Sequence, residues 1–345
     1  MTTETTEKKA PRAPRKQAPK KQADAVVETV DNEVAEDNQD FAVVAKKRKT
    51  RGIIAIDNGG ENTKIFTEDM DNPTYFKSFK KYGRKKDLIA DVYPQTDDES
   101  LTSYIVEWQD QVYLTNKRTV EASFSITGNT DSKASEYFIL STLIAVAKHG
   151  YSINYLSTSV PYKNILNEDE TESIRKQLIG EHTISVDKVE YTFEIADVLI
   201  TAEAQAGYFF LEPEGIVTLL EIGSRTVGYA TNELVYDDEG NILAESPIDI
   251  KSGTIEKAGL AISNIDVDEY IPYCSHIFSE LSARKIDERD EIIAFGGGVL
   301  IDGIREGLQK FFKNITFADD PLYVQVRGML ILAQMHFKLE EDDEE

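Results

Sequence analysis

Two segments some 160 residues apart are written to one plan, and this repetition constrains the chain more than any other feature. The first runs Gly52-Ile53-Ile54-Ala55-Ile56, then Asp57-Asn58-Gly59-Gly60-Glu61-Asn62-Thr63-Lys64, then Ile65-Phe66-Thr67; the second runs Gly215 to Leu220, then Glu221-Ile222-Gly223-Ser224-Arg225-Thr226, then Val227-Gly228-Tyr229-Ala230. Each reads as a short apolar strand, a carboxylate-led glycine turn and a returning strand. A carboxylate at the end of a buried strand, followed at once by glycines, suits nucleotide chemistry: bare backbone N–H groups approach phosphate while the carboxylate holds a hydrated Mg²⁺. One such loop is weak evidence, since Asp-Asn-Gly-Gly also serves any tight turn that needs positive φ. Two loops opening two hairpins are far harder to obtain by accident.

A third glycine loop joins them. In Ile292-Ile293-Ala294-Phe295-Gly296-Gly297-Gly298-Val299-Leu300 three glycines leave a strand, and 301–312 reads as the helix that follows. Such a loop lets a flat ligand lie against bare backbone, with the helix N-terminus favouring a phosphate or polar edge. No Gly-Lys-Ser/Thr follows, so it is not a Walker A loop. Between the hairpins the pattern predicts strands at 103–108, 112–114 and 153–159 and helices at 135–148 and 169–179. Beyond them it predicts a strand pair around the turn 238–241, helices at 255–263 and 267–285, and a strand at 291–295. Strands mixed with helices over this length indicate an α/β protein of two lobes.

Charge is uneven. The first 50 residues hold 11 Lys/Arg against 9 Asp/Glu, the last six residues are all acidic, and 51–339 therefore carry −20 of the chain's −24. Phosphates repel such a body, so direct DNA binding by the folded part is excluded, and any DNA contact must pass through the tail or a partner. The tail has too few large apolar residues to offset ordering entropy, and 1–50 reads as disordered, either a tether or a solubilising extension. Lone Cys274 excludes a disulfide-built scaffold and suits a reducing cytoplasm. The chain shows no apolar run near the roughly 20 residues that span a bilayer and no signal-peptide h-region, which leads us to expect a soluble cytoplasmic protein. His149, His182, His276 and His336 show no metal-ligand spacing. The basic run from Lys77 to Lys86, interleaved with aromatics, reads as a filament contact or a solvated loop.

Taken together, the loops resemble the superfamily of actin, Hsp70-type chaperones and sugar kinases. Asp57 to Lys64 resembles its first phosphate motif, in the Asp-Asn-Gly-x-x-Asn-x-Lys form of plasmid-segregating actins of the ParM type. Glu221 to Thr226 is similar to its second phosphate motif and Phe295 to Gly298 to its adenosine motif. Ile200-Thr201-Ala202-Glu203-Ala204-Gln205-Ala206-Gly207-Tyr208 resembles the stretch whose glutamate positions the attacking water, and Asp320 to Gly328 resembles the closing Asn-Val-Arg-Gly segment.

The likeness covers about 51–339 and implies a two-lobed actin-like ATPase fold with nucleotide between the lobes: lobe I over 51–214, lobe II over 215–320, a C-terminal helix at 321–339 returning to lobe I, and an acidic tail at 340–345. It implies that Asp57 and Glu221 flank Mg²⁺, through water. Asn58, Gly59, Gly60, Asn62 and Lys64 would meet the phosphates of ATP, or GTP, from one side and Gly223, Ser224 and Thr226 from the other. Glu203 would orient the water and Gly296, Gly297 and Gly298 would bound the nucleoside. It further implies a homopolymeric filament that hydrolyses nucleotide and moves plasmid or phage DNA through a DNA-binding adaptor. The alternatives are a slowly hydrolysing scaffold filament and a small-molecule kinase.

Two positions depart from the family pattern. Glu221 stands where Asp is usual, and its extra methylene moves the carboxylate by about 1.5 Å, when a misplacement of about 1 Å can cost 10²-fold in rate. Glu61 is acidic where a small or polar residue is usual, and an outward-pointing side chain is the expectation. The roughly 70 residues from Thr226 to Gly296 leave room for only a vestigial small subdomain on the second lobe, as in the AlfA-like actins.

Overall fold

The structure is a computed structural model, which describes residues 48–77, 79–84, 104–115, 133–233, 237, 248–256, 258–260 and 267–339. The segments 1–47 and 340–345 and the turn 238–241 lie outside the described residues, so the expectations placed on them find no test here.

The described strands are β1 (Arg51–Asn58), β2 (Asn62–Thr67), β3 (Thr74–Lys77), β4 (Phe79–Arg84), β5 (Ile105–Trp108), β6 (Gln111–Thr115), β7 (Ile153–Val160), β8 (Gly180–Val186), β9 (Val189–Ala202), β10 (Ile216–Ile222), β11 (Val227–Glu233), β12 (Ile248–Ile255), β13 (Ile292–Phe295) and β14 (Ile315–Phe317). The helices are α1 (Glu136–His149), α2 (Tyr162–Ile165), α3 (Glu168–Leu178), α4 (Tyr208–Leu211), α5 (Tyr270–Ala283), α6 (Asp302–Phe311) and α7 (Val324–Phe337). The strands form one sheet in the order β3-β2-β1-β7-β9-β8-β5-β6-β4 and a second in the order β12-β11-β10-β13-β14.

The repeat seen in the sequence is a repeat of topology. Along β3-β2-β1-β7-β9 the pairings run antiparallel, antiparallel, parallel, parallel, and along β12-β11-β10-β13-β14 they run the same way. The parallel strands β1, β10 and β13 are short, largely apolar runs, as expected of strands covered on both faces, whereas β7 is buried but carries Asn154, Ser157, Thr158 and Ser159. In β1, Ile54 and Ile56 pack with Phe138, Leu140 and Leu143 of α1, while Ile53 and Ala55 pack with Val326, Met329, Leu330 and Ala333 of α7. On the second sheet, Leu220, Ile222, Ile292 and Ala294 pack with Cys274, Ile277 and Leu281 of α5 and with Ile304 and Leu308 of α6.

Local chemistry sets the helix ends. Ser135 caps α1 by accepting from Phe138 N–H at 3.4 Å, Glu136 stands in its first turn, and Lys148 and His149 stand in its last. The charged tail, expected to reach residue 50, stops short of it. The Arg48 guanidinium donates to the carbonyls of Val146 (2.9 Å) and Ala147 at the negative end of α1, and Ser152 and Ile153 donate to the carbonyls of Lys49 and Thr50. Unsatisfied helix carbonyls attract a cation, which draws Arg48 onto the body.

A second correction concerns 255–263. Ile255, expected to start a helix, closes β12, where it pairs with Val227 and is buried in the second core. The strand partner before the turn 238–241 is β11 itself. Among the described residues the interval from Thr226 to Gly296 holds β11, β12, a 3₁₀ turn at Val267–Glu269, α5 and β13.

The β8–β9 hairpin went unread in the sequence. Its two-residue turn takes positive φ at Asp187 (52°) and Lys188 (66°), without the glycine that announces such turns.

Helix α7 is set against the first sheet by an absent side chain. A Cβ on Gly328 would lie 1.9 Å from the Ala206 carbonyl oxygen. In a helix interior, alanine is favoured over glycine by about 1 kcal/mol. Here the clash outweighs that preference, and Gly328→Ala should destabilise the chain by about 2 kcal/mol or more in equilibrium denaturation. A gain in stability would mean that α7 sits farther from Ala206.

Candidate functional site

The glycine loops of β1–β2, β10–β11 and β13 meet at one cleft of about 760 Å³. Asp57, Gly59, Gly60, Asn62 and Lys64 line it from the first hairpin; Glu221, Gly223, Ser224 and Thr226 from the second; Gly297 and Gly298 from the third loop; and Glu203 from the end of β9. Of the residues expected here, Asn58 and Gly296 do not line it. Asn58 is buried and donates Nδ2–H to Thr142 Oγ1 of α1 at 2.8 Å, so it locks the loop to the core. Gly296 has φ of +92°, and a Cβ there would lie 2.7 Å from the Ile222 carbonyl oxygen; it shapes the turn. Glu61 is exposed at the cleft, as expected. Leu260, Tyr270, Leu300, Ile301 and Leu322 make the end of the cleft beside Gly297 and Gly298 apolar and aromatic.

Close approach explains two of the glycines. A Cβ on Gly60 would stand 2.6 Å from Ser224 Oγ and from Arg225 Cγ, so the bare backbone of the first loop receives side chains of the second. A Cβ on Gly59 would stand 2.9 Å from the Asn62 carbonyl oxygen, which accepts Gly59 N–H at 3.0 Å.

The electrostatics divide the carboxylates. Asp57 and Lys64 are directly opposed in the β1–β2 register, both buried, with Lys64 Nζ donating to Asp57 Oδ2 at 2.6 Å. Ser159 Oγ, at the end of β7, donates to Asp57 Oδ1 at 3.0 Å. Burial pushes the Asp57 carboxyl up, but Lys64 together with Lys133 and Ser159 overcomes it and holds the group below its ordinary range. Glu221 has no such cation opposite. Burial first, then the negative charges of Asp57 and Glu203, raise it from 4.5 to about 8, although Lys64 and a bond from Ala204 N–H (3.0 Å) pull the other way.

Glu203 is held from both sides. Its Oε1 lies 3.3 Å from Lys133 Nζ and its Oε2 accepts from Thr226 Oγ1 at 3.4 Å. Lys133 Nζ also donates to the Asn58 carbonyl at 3.0 Å. Lys133, Ser159, Asn164 and Tyr270 are site residues that motif reading missed. Only the polar end of the buried strand Ile153–Val160 offered a signal, at Ser159.

The donor set fits a hydrated magnesium ion. Among the described residues no group of three or more His, Cys, Asp or Glu forms a ready-made cage, and Mg²⁺ characteristically takes one or two carboxylates and keeps its waters. The buried carboxyls of Asp57 and Glu221, which line the cleft from the two hairpins, supply such a pair once a cation offsets the burial and like charge that raise Glu221. The buried Oδ1 of Asn62, which has no hydrogen-bond partner, supplies a further acceptor.

Residues 55–205 match the family model for the N-terminal domain of actin-like proteins. Among solved structures, the chain is similar to the AlfA filament from the B. subtilis plasmid pLS32, at 16% identity over 81% of this chain and 98% of that one, with a TM-score of 0.57. An AlfA filament has also been solved bound to AMPPNP. The chain is similar to the 15-stranded ParM filament from Clostridium botulinum, at 14% identity over 83% and 99%, with a TM-score of 0.62. The archaeal actin homologue Ta0583 in complex with ADP matches at 14% identity over 84% and 100%, with a TM-score of 0.58. A search of curated protein sequences finds no significant match. The fold is thus actin-like, and no helix among the described residues is long and apolar enough to cross a membrane.

The raised Glu221 carboxyl has a consequence for the nucleotide-free chain. A group protonated more readily when folded stabilises fully below its unfolded range, and that stabilisation drains as pH rises toward about 8. Stability should therefore fall between pH 5 and 8, and Glu221→Gln, which imitates the protonated form, should flatten the slope. At pH 8 without nucleotide or divalent cation we expect the variant to melt about 2 °C or more above the parent. Parallel melting curves across the range would mean that Glu221 is ionised and solvated.

Proposed function

We propose that this actin-like chain binds nucleoside triphosphate in the cleft, ATP before GTP, hydrolyses it, and assembles head to tail into filaments. We further propose that it works in the cytoplasm and positions plasmid or phage DNA through a DNA-binding adaptor. The observation that carries the reading is the convergence of the three glycine loops with Asp57, Glu203 and Glu221 on one cleft. The relatives support it: AlfA and ParM are solved as filaments, and relatives are bound to AMPPNP and ADP. The acidic body argues for an adaptor in place of direct DNA contact.

In this reading the two lobes are 51–214 and 215–320. The backbone of Gly59, Gly60, Gly223 and Ser224, with Asn62, Lys64 and Thr226, holds the β- and γ-phosphates. Gly297 and Gly298 let the nucleoside lie against backbone beside Tyr270 and Leu322. Asp57 and Glu221 would hold Mg²⁺ through its waters, and the ion would neutralise charge on the phosphates. Glu203 orients the attacking water. Each carboxylate oxygen accepts more than one hydrogen bond, so those to Lys133 and Thr226 leave room for a water.

A slowly hydrolysing scaffold filament is the second reading. It is favoured by Glu221 in place of aspartate, a carboxyl whose burial raises it to about 8.

With Mg-ATP, purified protein should scatter light above a critical concentration and show open filaments by electron microscopy, because head-to-tail contacts do not close. Glu203→Gln should keep nucleotide binding and assembly while slowing phosphate release about tenfold or more, the usual scale for losing a positioned acid–base group. Persistent monomers with saturating nucleotide would end the filament reading. Unchanged phosphate release would remove Glu203 from its role.

A further inference from the structure

The cleft contains an ammonium that no motif announces. Lys133 stands two residues before Ser135, the cap of α1, outside all three glycine loops. Its backbone N–H donates to Glu170 Oε1 at 2.5 Å, and the other oxygen of Glu170 accepts from Asn164 Nδ2 at 2.8 Å. Glu170 sits in the first turn of α3, where the helix dipole favours its charge. The segment is thus anchored through its backbone, and the Lys133 side chain is left to extend into the cleft.

There the side chain joins two parts of the site that are distant in sequence. Nζ donates to the carbonyl of Asn58, at the head of the first loop, and pairs with Glu203, beyond the end of β9. Both partners of the ion pair are mostly buried, with side chains 17% and 13% exposed, so the pair is shielded far better than a surface one. Thr226 holds the second oxygen of Glu203 from the opposite hairpin. A carboxylate gripped by an ammonium on one side and a hydroxyl on the other has little rotational freedom. Lys64, the cation of the first motif, is engaged by Asp57. An ammonium carries three N–H donors, and the Asn58 carbonyl and Glu203 occupy two of those of Lys133.

We infer that Lys133 is a positioning residue of the hydrolytic site: it fixes the Glu203 carboxylate for the water and turns its third N–H toward the terminal phosphate. The inference rests on the nucleotide-hydrolysis reading above. A merely structural Lys133 would tie the segment before α1 to the first loop, but the bond from Asn58 Nδ2–H to Thr142 already joins α1 to that loop, and Glu170 holds the segment to α3.

The test is steady-state phosphate release by the full chain with Mg-ATP. Lys133→Met keeps the aliphatic stem and deletes the charge; its kcat should fall about tenfold or more, as expected when a reacting group is misplaced, with KM and melting temperature little changed. Lys133→Arg restores a cation and should recover much of the loss. Because both residues act on one water, Lys133→Met combined with Glu203→Gln should be no slower than Glu203→Gln alone. Parental kcat in Lys133→Met overturns the inference, as does a loss that arginine does not relieve or that multiplies with the Glu203→Gln loss. If Lys133→Met also unfolds early, the arginine variant decides, with rescue of stability but not of kcat counting against the inference. A parent that binds no ATP and releases no phosphate defeats the function proposed above and this inference with it. A parent that hydrolyses ATP alongside an equally active Lys133→Met defeats this inference alone.

Discussion

The buried ion pair between Asp57 and Lys64 is the constraint around which the site is arranged. The two residues face each other across the first hairpin, and each would be costly to bury alone, since removing one partner of such a pair typically costs about 3–5 kcal/mol. Their pairing fixes the hairpin register, because a one-residue slip of either strand would send its member of the pair to the other face and leave the other buried alone. It also fixes the end of β1, and with it a whole edge of the sheet. Strands β1, β7 and β9 are parallel, so Asp57, Ser159 and Glu203 emerge together at their carboxyl ends. Strands β10 and β13 do the same for Glu221 and the glycines from Gly296. Ligands of open α/β sheets bind outside such strand ends, and here two sheets present theirs to one cleft.

The two hairpins share a register but differ in charge. Asp57 opposes Lys64 and Glu221 opposes Gly228, in each case seven residues on. Where the first repeat places a cation, the second places no side chain. A Cβ on Gly228 would lie 3.4 Å from the Ala204 Cβ and 3.8 Å from that of Glu203, so the glycine lets the end of β9 come against the second hairpin. That approach gives Glu221 the Ala204 N–H and brings Glu203 near enough to repel it. The Asp57 carboxyl is therefore held below its ordinary range, while burial first, and then the nearby negative charges with no cation opposite, push Glu221 up. Two like carboxyls driven apart in pKa form a site whose charge a bound cation can reset.

Sequence reading found what is local. Glycines that need positive φ or close approach, apolar runs at strand length and the Ser135 cap all leave signatures within a few residues, and the hairpins, α1 and the three loops were legible for that reason. The β8–β9 hairpin was not, because its turn uses Asp187 and Lys188 in a conformation normally advertised by Asn-Gly. Ile255 was misread because its strand character comes from pairing with Val227, not from its neighbours in sequence. Ser159 and Lys133 were missed for the same reason: their partners Asp57 and Glu203 lie 102 residues before Ser159 and 70 residues after Lys133 in the chain, and only the sheet order brings them together. Arg48 looked like tail for want of any sign that a helix end lay over it.

The two sides of the cleft are joined by contacts of two kinds, and this separation bears on motion. Behind the site the join is apolar. Ala204 and Tyr208 pack with Val217, Leu219, Phe295 and Val324, and the Tyr208 hydroxyl lies 2.8 Å from the Ala230 carbonyl and accepts Asn232 N–H at 2.9 Å. Around the cleft itself the join is polar: Thr226 with Glu203, Ala204 N–H with Glu221, and Lys163 with Glu256, a half-exposed pair. Exposed ion pairs contribute about 0–1 kcal/mol, whereas opening the apolar seam would expose several large side chains at about 1.5–3 kcal/mol each. Were the cleft to open and close, the seam would be its pivot and the exposed Lys163–Glu256 pair the contact most easily exchanged. A ligand can shift such an equilibrium only through contacts that differ between the two states. Those contacts lie in the cleft and involve Glu203, Glu221 and the loop carrying Thr226, so the groups that would read the nucleotide are the same groups that hold the cleft together.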